Sequence, residues 1–381
     1  MKLPFLALAL IAACGDNLDQ PQFDAGPDAD ANETPPTRAV IVAGDFQAIG
    51  VLSVLDVETR TARSNVAPAT AVGADPVLRK IGDELYVVNR TDNNVTILDA
   101  ADFSLVEQIG TGAMSNPQDV AAAGQKLWIP AYGGKGIVEV TRGSATVTEI
   151  DLSADDPDGK PNCASIYKVG NKLYVACQLL DDTQQFLPPR GNGKVYVVDT
   201  VSRAITSTID LSTVNPFSLL EQLPDGDLVI GTVDFRFGMN NAGCIQRITT
   251  GATPSASCMI DNSMFDGGFA GRLDVTSGQL DIPKELLVLV PRADFSGGDI
   301  RVITIDPVAL QPAAFSIAGQ ALSDIAACPD LKVVAAENPP FGAPDDAPQG
   351  LRVYTAPATE ATSSAVPIGL KPSSSHGLVC Y

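Results

Sequence analysis

The chain has 381 residues, 45% of them hydrophobic and only 18% charged, with a formal charge of −20. These values describe an ordered, acidic chain of β type, and the surplus of carboxylates repels phosphate, which excludes nucleic acid as a partner and disfavours anionic lipid headgroups. Length alone suggests two or three domains unless a repeat gathers the residues into one closed unit.

Residues 1–13 have a basic start at Lys2 and an apolar run from Leu3 to Ala13. The run is too short to cross a bilayer and reads as a cleaved export signal. Ile11-Ala12-Ala13-Cys14 resembles a bacterial lipobox, which makes Cys14 the expected lipidation site and new N-terminus. By the same resemblance, Gly15 rather than Asp implies an outer-membrane anchor, on the periplasmic or the cell-surface side. Residues 14–37 hold six acidic residues and four prolines with almost no large apolar side chains. Such a segment cannot bury enough surface to offset its ordering entropy, so a disordered acidic tether is expected. It would span about 25 Å as a coil and at most roughly 80 Å stretched.

Over residues 38–381 one pattern recurs: an inner strand, a turn, a strong apolar strand, a polar loop and two outer strands. The strong strands centre on Ile41, Tyr86, Trp128, Tyr174, Val229, Val288 and Val333, giving seven repeats. Trp128 is in register with Tyr86 and Tyr174 and so reads as a packing residue. A small polar residue precedes each inner strand: Asp75, Asn116, Asn162, Asn215, Asp266, Ser323 and Ser375. Their spacing averages about 50 residues, one four-stranded unit per repeat. Asp56, Asp99, Asp199 and Asp306 stand where an Asx side chain can close the third strand's corner. The inner strand missing before Val40 reappears as Ser375 to Tyr381 at the other end of the chain, matching Ser323 to Cys328 position by position.

The stretch Leu85 to Gly112, LYVVNRTDNNVTILDAADFSLVEQIGTG, resembles the YVTN family of β-propellers, most sharply over residues 85–120 and 163–212. Resemblance and period together imply an all-β, seven-bladed β-propeller of four-stranded antiparallel blades. The C-terminal strand closes the ring and removes its central edge.

Six cysteines follow Cys14, and an oxidising compartment allows 15 pairings among them. The repeat register sets Cys163 against Cys177 and Cys244 against Cys258, which leaves Cys328 for Cys380 by subtraction. No C-x-x-C occurs and His376 is the single histidine, which argues against a zinc site.

In a propeller, the turns into the inner strands and the loops after the strong strands share the face around the channel mouth. The ligand-binding candidates there are Asp75, Asn116, Asn162, Asn215, Asp266 and Asp234, with Phe186, Phe235 and Arg236 at the tips of two long loops. With Asp45, Asn89, Tyr132, Gln178, Asp294 and Glu337 they predict a polar, net acidic funnel. The same residues are also ordinary turn and strand-end chemistry. Asp156 and Asp158 with Gly159 offer a weak calcium pattern, the one cofactor suggested; the full EF-hand spacing is absent. No G-x-S-x-G elbow occurs, and His376 falls in the closing strand, so no catalytic residue is assigned. The reading favoured is a monomeric, lipid-anchored binding or scaffold module engaging a protein, glycan or small ligand. The alternative is a metal-dependent, lactonase-like hydrolase using carboxylates and amides at the mouth.

Overall fold

The computed structural model describes residues 36–234, 242–276, 285–292, 297–305, 308–310, 321–339, 347, 349–355, 359–372 and 376–381. The signal, Cys14, nearly all of the tether, Phe235, Arg236, Asp294, Asp306 and Ser375 therefore lie outside the described residues. Among these residues the chain forms seven four-stranded antiparallel sheets, the blades of a β-propeller. Six blades use strands in chain order. The first is built from Leu378–Cys380, Arg38–Gly44, Gly50–Asp56 and Thr61–Arg63, so the last strand of the chain lies innermost in the first blade. Leu378, Val379 and Cys380 pair with Ile41, Val40 and Ala39, and Tyr381 exchanges both backbone hydrogen bonds with Arg38.

Each strong strand is apolar at successive positions because both of its faces are covered. Seven hydrophobic clusters fill the seven gaps between neighbouring blades. Leu85 and Val87 pack towards Val40, Val42 and Leu52 of the first blade, while Tyr86 and Val88 pack towards Leu127 and Ile129 of the third. Trp128 is 2% exposed and packs against Val175 and Tyr196 of the next blade. Its indole N–H donates to Glu139 Oε2 at 2.9 Å. Corner closure occurs at Asp56, Asp99 and Asp199, whose Oδ1 atoms accept backbone N–H bonds at 2.7 Å from Thr59, Ala101 and Ser202.

Polar side chains on or beside the inner strands link each blade to the next around the channel. Arg79 makes a two-pronged ion pair with Asp119 (2.7 and 3.0 Å) and also reaches Glu221 at 2.7 Å. Asp119 Oδ2 accepts from Ser165 Oγ and Ile166 N at 2.9 and 3.0 Å. Ser165 Oγ accepts from Leu220 N at 2.8 Å, and Glu221 faces Arg272 at 3.7 Å. Asp274 Oδ2 accepts from Ala327 N at 2.8 Å. Asp324 Oδ2 accepts from Gly377 and Leu378 N at 2.6 and 2.9 Å, and the His376 carbonyl accepts from Leu78 N at 2.9 Å, which completes the circuit. Burial within this ring, only partly offset by Arg272, pushes the Asp274 and Asp324 carboxyls up to about 6.

Two of the expected disulfides are present, Cys163–Cys177 across directly opposed residues and Cys328–Cys380 across the ring closure. The expected Cys244–Cys258 bond is not formed. Both residues are on adjacent strands, but the register of the pair sets Cys258 opposite Gln246 and Cys244 opposite Asp261. The Cys244 thiol instead accepts from Gln246 Nε2 at 2.7 Å. Burial first, then the neighbouring Cys258 thiol, pushes it up to about 12.

Two measurements test this ring. The Cys328–Cys380 bond closes a loop of 52 residues, so Cys328→Ser/Cys380→Ser should lower stability by about 4 kcal/mol on loop entropy, read by denaturant unfolding. Asp274 and Asp324 hold protons in the folded state up to about pH 6, against about 4 unfolded, so folding takes up protons between those values. Their contribution therefore favours the fold more as pH falls through 6. The melting temperature should be higher near pH 5 than near pH 7, and Asp274→Asn should shrink that difference.

Candidate functional site

The mouth is built from the turns into the inner strands. Asn116, Asn162, Asn215 and Asp266 all have left-handed backbone, with φ of 46°, 51°, 50° and 51°. Asn and Asp tolerate this conformation better than any other residue with a side chain, which is why the repeat has them there. Asp75, Asn116, Asn162 and Asn215 each offer a carbonyl to the first loop residue after the strong strand: Arg90, Tyr132, Gln178 and Val233, at 3.1 to 3.2 Å. The recurrent polar residues are thus local geometry first.

Their side chains are largely engaged. Asp75 pairs with Arg90 at 3.1 Å, Asn116 Oδ1 accepts from Gln118 Nε2 at 2.9 Å, and Asn162 bonds Asp182 and Leu180 N, each at 2.9 Å. Asp266 is paired with Arg301 at 3.3 Å with its side chain 83% exposed. Asp234 uses its backbone N–H on the Ala242 carbonyl at 2.6 Å. Of the ring, Asn215 alone borders the mouth cavity, and its buried Oδ1 has no hydrogen-bond partner among the described residues.

That cavity, of about 440 Å³, differs from the acidic funnel expected. Among the described residues no carboxylate lines it. Asp45 is turned into its own loop, accepting from the Gln47, Ala48 and Ile49 amides, and Glu337 is bonded to Arg352. Its lining combines the apolar Leu180, Phe186, Leu187, Pro189, Phe217 and Leu219 with Arg90, Gln118, Tyr132, Gln178, Asn215 and His376. Tyr132 and Gln178 were expected at the mouth and line it. Arg90, Gln118, Phe217 and His376 were not. His376 lies at φ 69° in the turn before the closing strand and lines the cavity, so the histidine assigned to a strand is a mouth residue. Burial raises the Tyr132 phenol to about 12, keeping it a neutral donor.

Leu180, Phe186, Leu187 and Pro189 of that lining belong to the loop after Lys172–Cys177. Leu179, Phe186 and Leu187 in it have φ of 55°, 70° and 46°, conformations that non-glycine residues rarely keep without support. The support is electrostatic. Arg190 bonds Asp181 at 2.7 Å and Asp158 at 2.8 Å, with Asp156 3.6 Å away. Asp181 also caps Thr183 and Gln184. Burial would raise the Asp158 carboxyl, but hydrogen bonds from Arg190 and from the Asp182 and Lys160 backbone outweigh it, so it titrates below its ordinary range. Burial raises its neighbour Asp156. The two carboxylates weighed as calcium ligands thus converge on a guanidinium of the chain itself. Among the described residues no three His, Cys, Asp or Glu side chains form a metal-binding group.

No family model and no curated protein matches this sequence. Its similarity is to solved structures. The chain superposes on apo AztD from Citrobacter koseri with a TM-score of 0.51 at 13% identity, covering 91% of this chain and 98% of that one. It superposes on virginiamycin B lyase from Staphylococcus aureus at 0.53 and 14%, covering 79% and 87%. A Bacteroides uniformis protein described as a 6-phosphogluconolactonase candidate gives 0.59 at 12%, covering 91% and 100%. The likeness is one of fold. The three proteins differ in what their names say they do, and at such identities none of these activities passes to this chain.

Arg190→Ala should leave the blades intact yet loosen this loop, because it strips the shared cation from Asp158 and Asp181. The expected result is faster amide exchange at Leu180 and Thr183 with little change in the global unfolding midpoint, read by hydrogen exchange and denaturant unfolding.

Proposed function

We propose that this protein is an exported lipoprotein, lipidated at Cys14 and held in the outer membrane, whose YVTN-type propeller acts as a binding module. The observation that carries the binding role is the mouth cavity, whose lining combines apolar side chains such as Phe186, Leu187 and Phe217 with hydrogen-bonding groups such as Arg90, Gln118 and Gln178. Its volume is in the range of small-ligand sites, and such a mixed lining suits a ligand that joins an apolar moiety to polar groups. A small molecule, a glycan end or a protein side chain can present that combination. Further support comes from the exposed Phe46, Ile49, Met114, Phe186 and Phe217, all in loops on the mouth side of the blades. Exposed apolar residues gathered on one face mark an interaction surface. The acidic net charge keeps the module off anionic lipid, which agrees with a tethered monomer that meets its ligand in solution.

The hydrolase reading has less support. Of the residues it would use, Asp75, Asn116, Asn162, Asn215 and Asp266, all but Asn215 have side chains bonded to their own neighbours.

The anchor is tested by metabolic labelling with an alkyne fatty acid, which should tag the wild-type chain and not Cys14→Ser. The mouth is tested by screening a fragment library against the full chain by thermal shift. Binders should be weakened about tenfold or more by Phe186→Ala and by Gln178→Ala, with the unliganded melting temperature nearly unchanged. Hits indifferent to both changes would overturn the assignment of the mouth.

A further inference from the structure

The ion-paired ring around Arg79 divides the channel, and beyond it a second chamber of about 320 Å³ opens on the face opposite the mouth. Its lining includes Arg272, Asp274 and Glu221, with Lys80 and Tyr381 at the rim. The Arg272 side chain is 5% exposed, yet its Nε and Nη1 make no hydrogen bond among the described residues. Asp324 and Glu221 lie 3.5 and 3.7 Å from them, close enough for an ion pair and too far for a hydrogen bond. A buried guanidinium with unmade bonds is unfavourable by a few kcal/mol unless an acceptor supplies them.

The charge around it limits what that acceptor can be. Two guanidiniums, Arg79 and Arg272, face four carboxylates, Asp119, Glu221, Asp274 and Asp324. An anion brought to Arg272 would meet that excess of negative charge. A cation would meet the open N–H groups of Arg272. A hydroxyl group meets both needs, since its oxygen accepts from Arg272 while its proton goes to a carboxylate. Asp274 has room for one: it accepts from Val275 N and Ala327 N at 2.9 and 2.8 Å, and a carboxylate has about four acceptor positions.

We infer that this chamber is a binding site for a neutral polyhydroxylated ligand of about monosaccharide size, with hydroxyl groups bridging Arg272 to Asp274 and Glu221. The site stands apart from the mouth cavity in lining, position and ligand chemistry.

The test is saturation-transfer NMR on the full chain with D-glucose, myo-inositol, D-gluconate and D-glucosamine as separate probes. A neutral probe should receive saturation, and Asp274→Asn and Arg272→Lys should weaken it about tenfold or more. Asp274→Asn keeps the shape of the side chain, so it decides the matter if Arg272→Lys does not fold. Phe186→Ala, at the mouth, should leave the signal unchanged. The inference is overturned by silence from both neutral probes, which would mean that water alone fills the chamber. It is equally overturned by binding confined to the charged probes, or by binding lost in Phe186→Ala and retained in Asp274→Asn.

Discussion

The circuit of polar contacts around the channel is the constraint on which the molecule depends. Each link passes from one blade's inner strand to the next: Asp119 to Ile166, Ser165 to Leu220, Asp274 to Ala327, Asp324 to Leu378. A propeller blade alone has a bare inner edge and two apolar faces, so no blade is stable by itself. The circuit and the seven interblade clusters solve the two halves of that problem together. The clusters supply the driving force through burial, and the directional bonds fix the rotation of each blade about the axis.

Closure concentrates this logic at one place. Asp324 receives the amides of Gly377 and Leu378, and the Cys328–Cys380 disulfide ties the same two blades a few residues further on. The strand so held is short, Leu378–Cys380, and it seals the first blade. His376 is carried to the mouth by this closure, because it occupies the turn that delivers the strand. Ring stability and site geometry are therefore linked through a handful of residues at the C-terminus.

The two ends of the channel have different characters for a physical reason. At the mouth, the turns engage most of their own polar side chains, Asn215 excepted, and the long loop braced by Arg190 supplies much of the cavity's lining. That produces a lining of apolar side chains mixed with neutral and cationic groups. Past the Arg79 plug, the inner strands themselves set the lining, and the circuit that joins the blades leaves Arg272 and Asp274 facing open space.

The sequence determined the seven repeats, the four-stranded blades, the closing strand, Trp128 as an interblade residue and two of the disulfides. All of these follow from periodicity, which survives in one dimension because every blade solves the same packing problem. The long loop with Phe186 was also legible, as an interruption of that period. What only the tertiary structure decided depends on how side chains meet across blades. Asn116 and Asn162 read as turn residues first and as ligand candidates second, and their left-handed backbone is that of turn residues. Of the carboxylates expected in the acidic funnel, Asp75 and Glu337 found cations 15 residues away, and Asp45 found the amides of its own loop. The register of two adjacent strands set Cys258 opposite Gln246 rather than Cys244, and no spacing rule announces that offset. The Arg79–Glu221 and Arg272–Asp324 pairs join residues 142 and 52 positions apart. Only closing the ring brings them together.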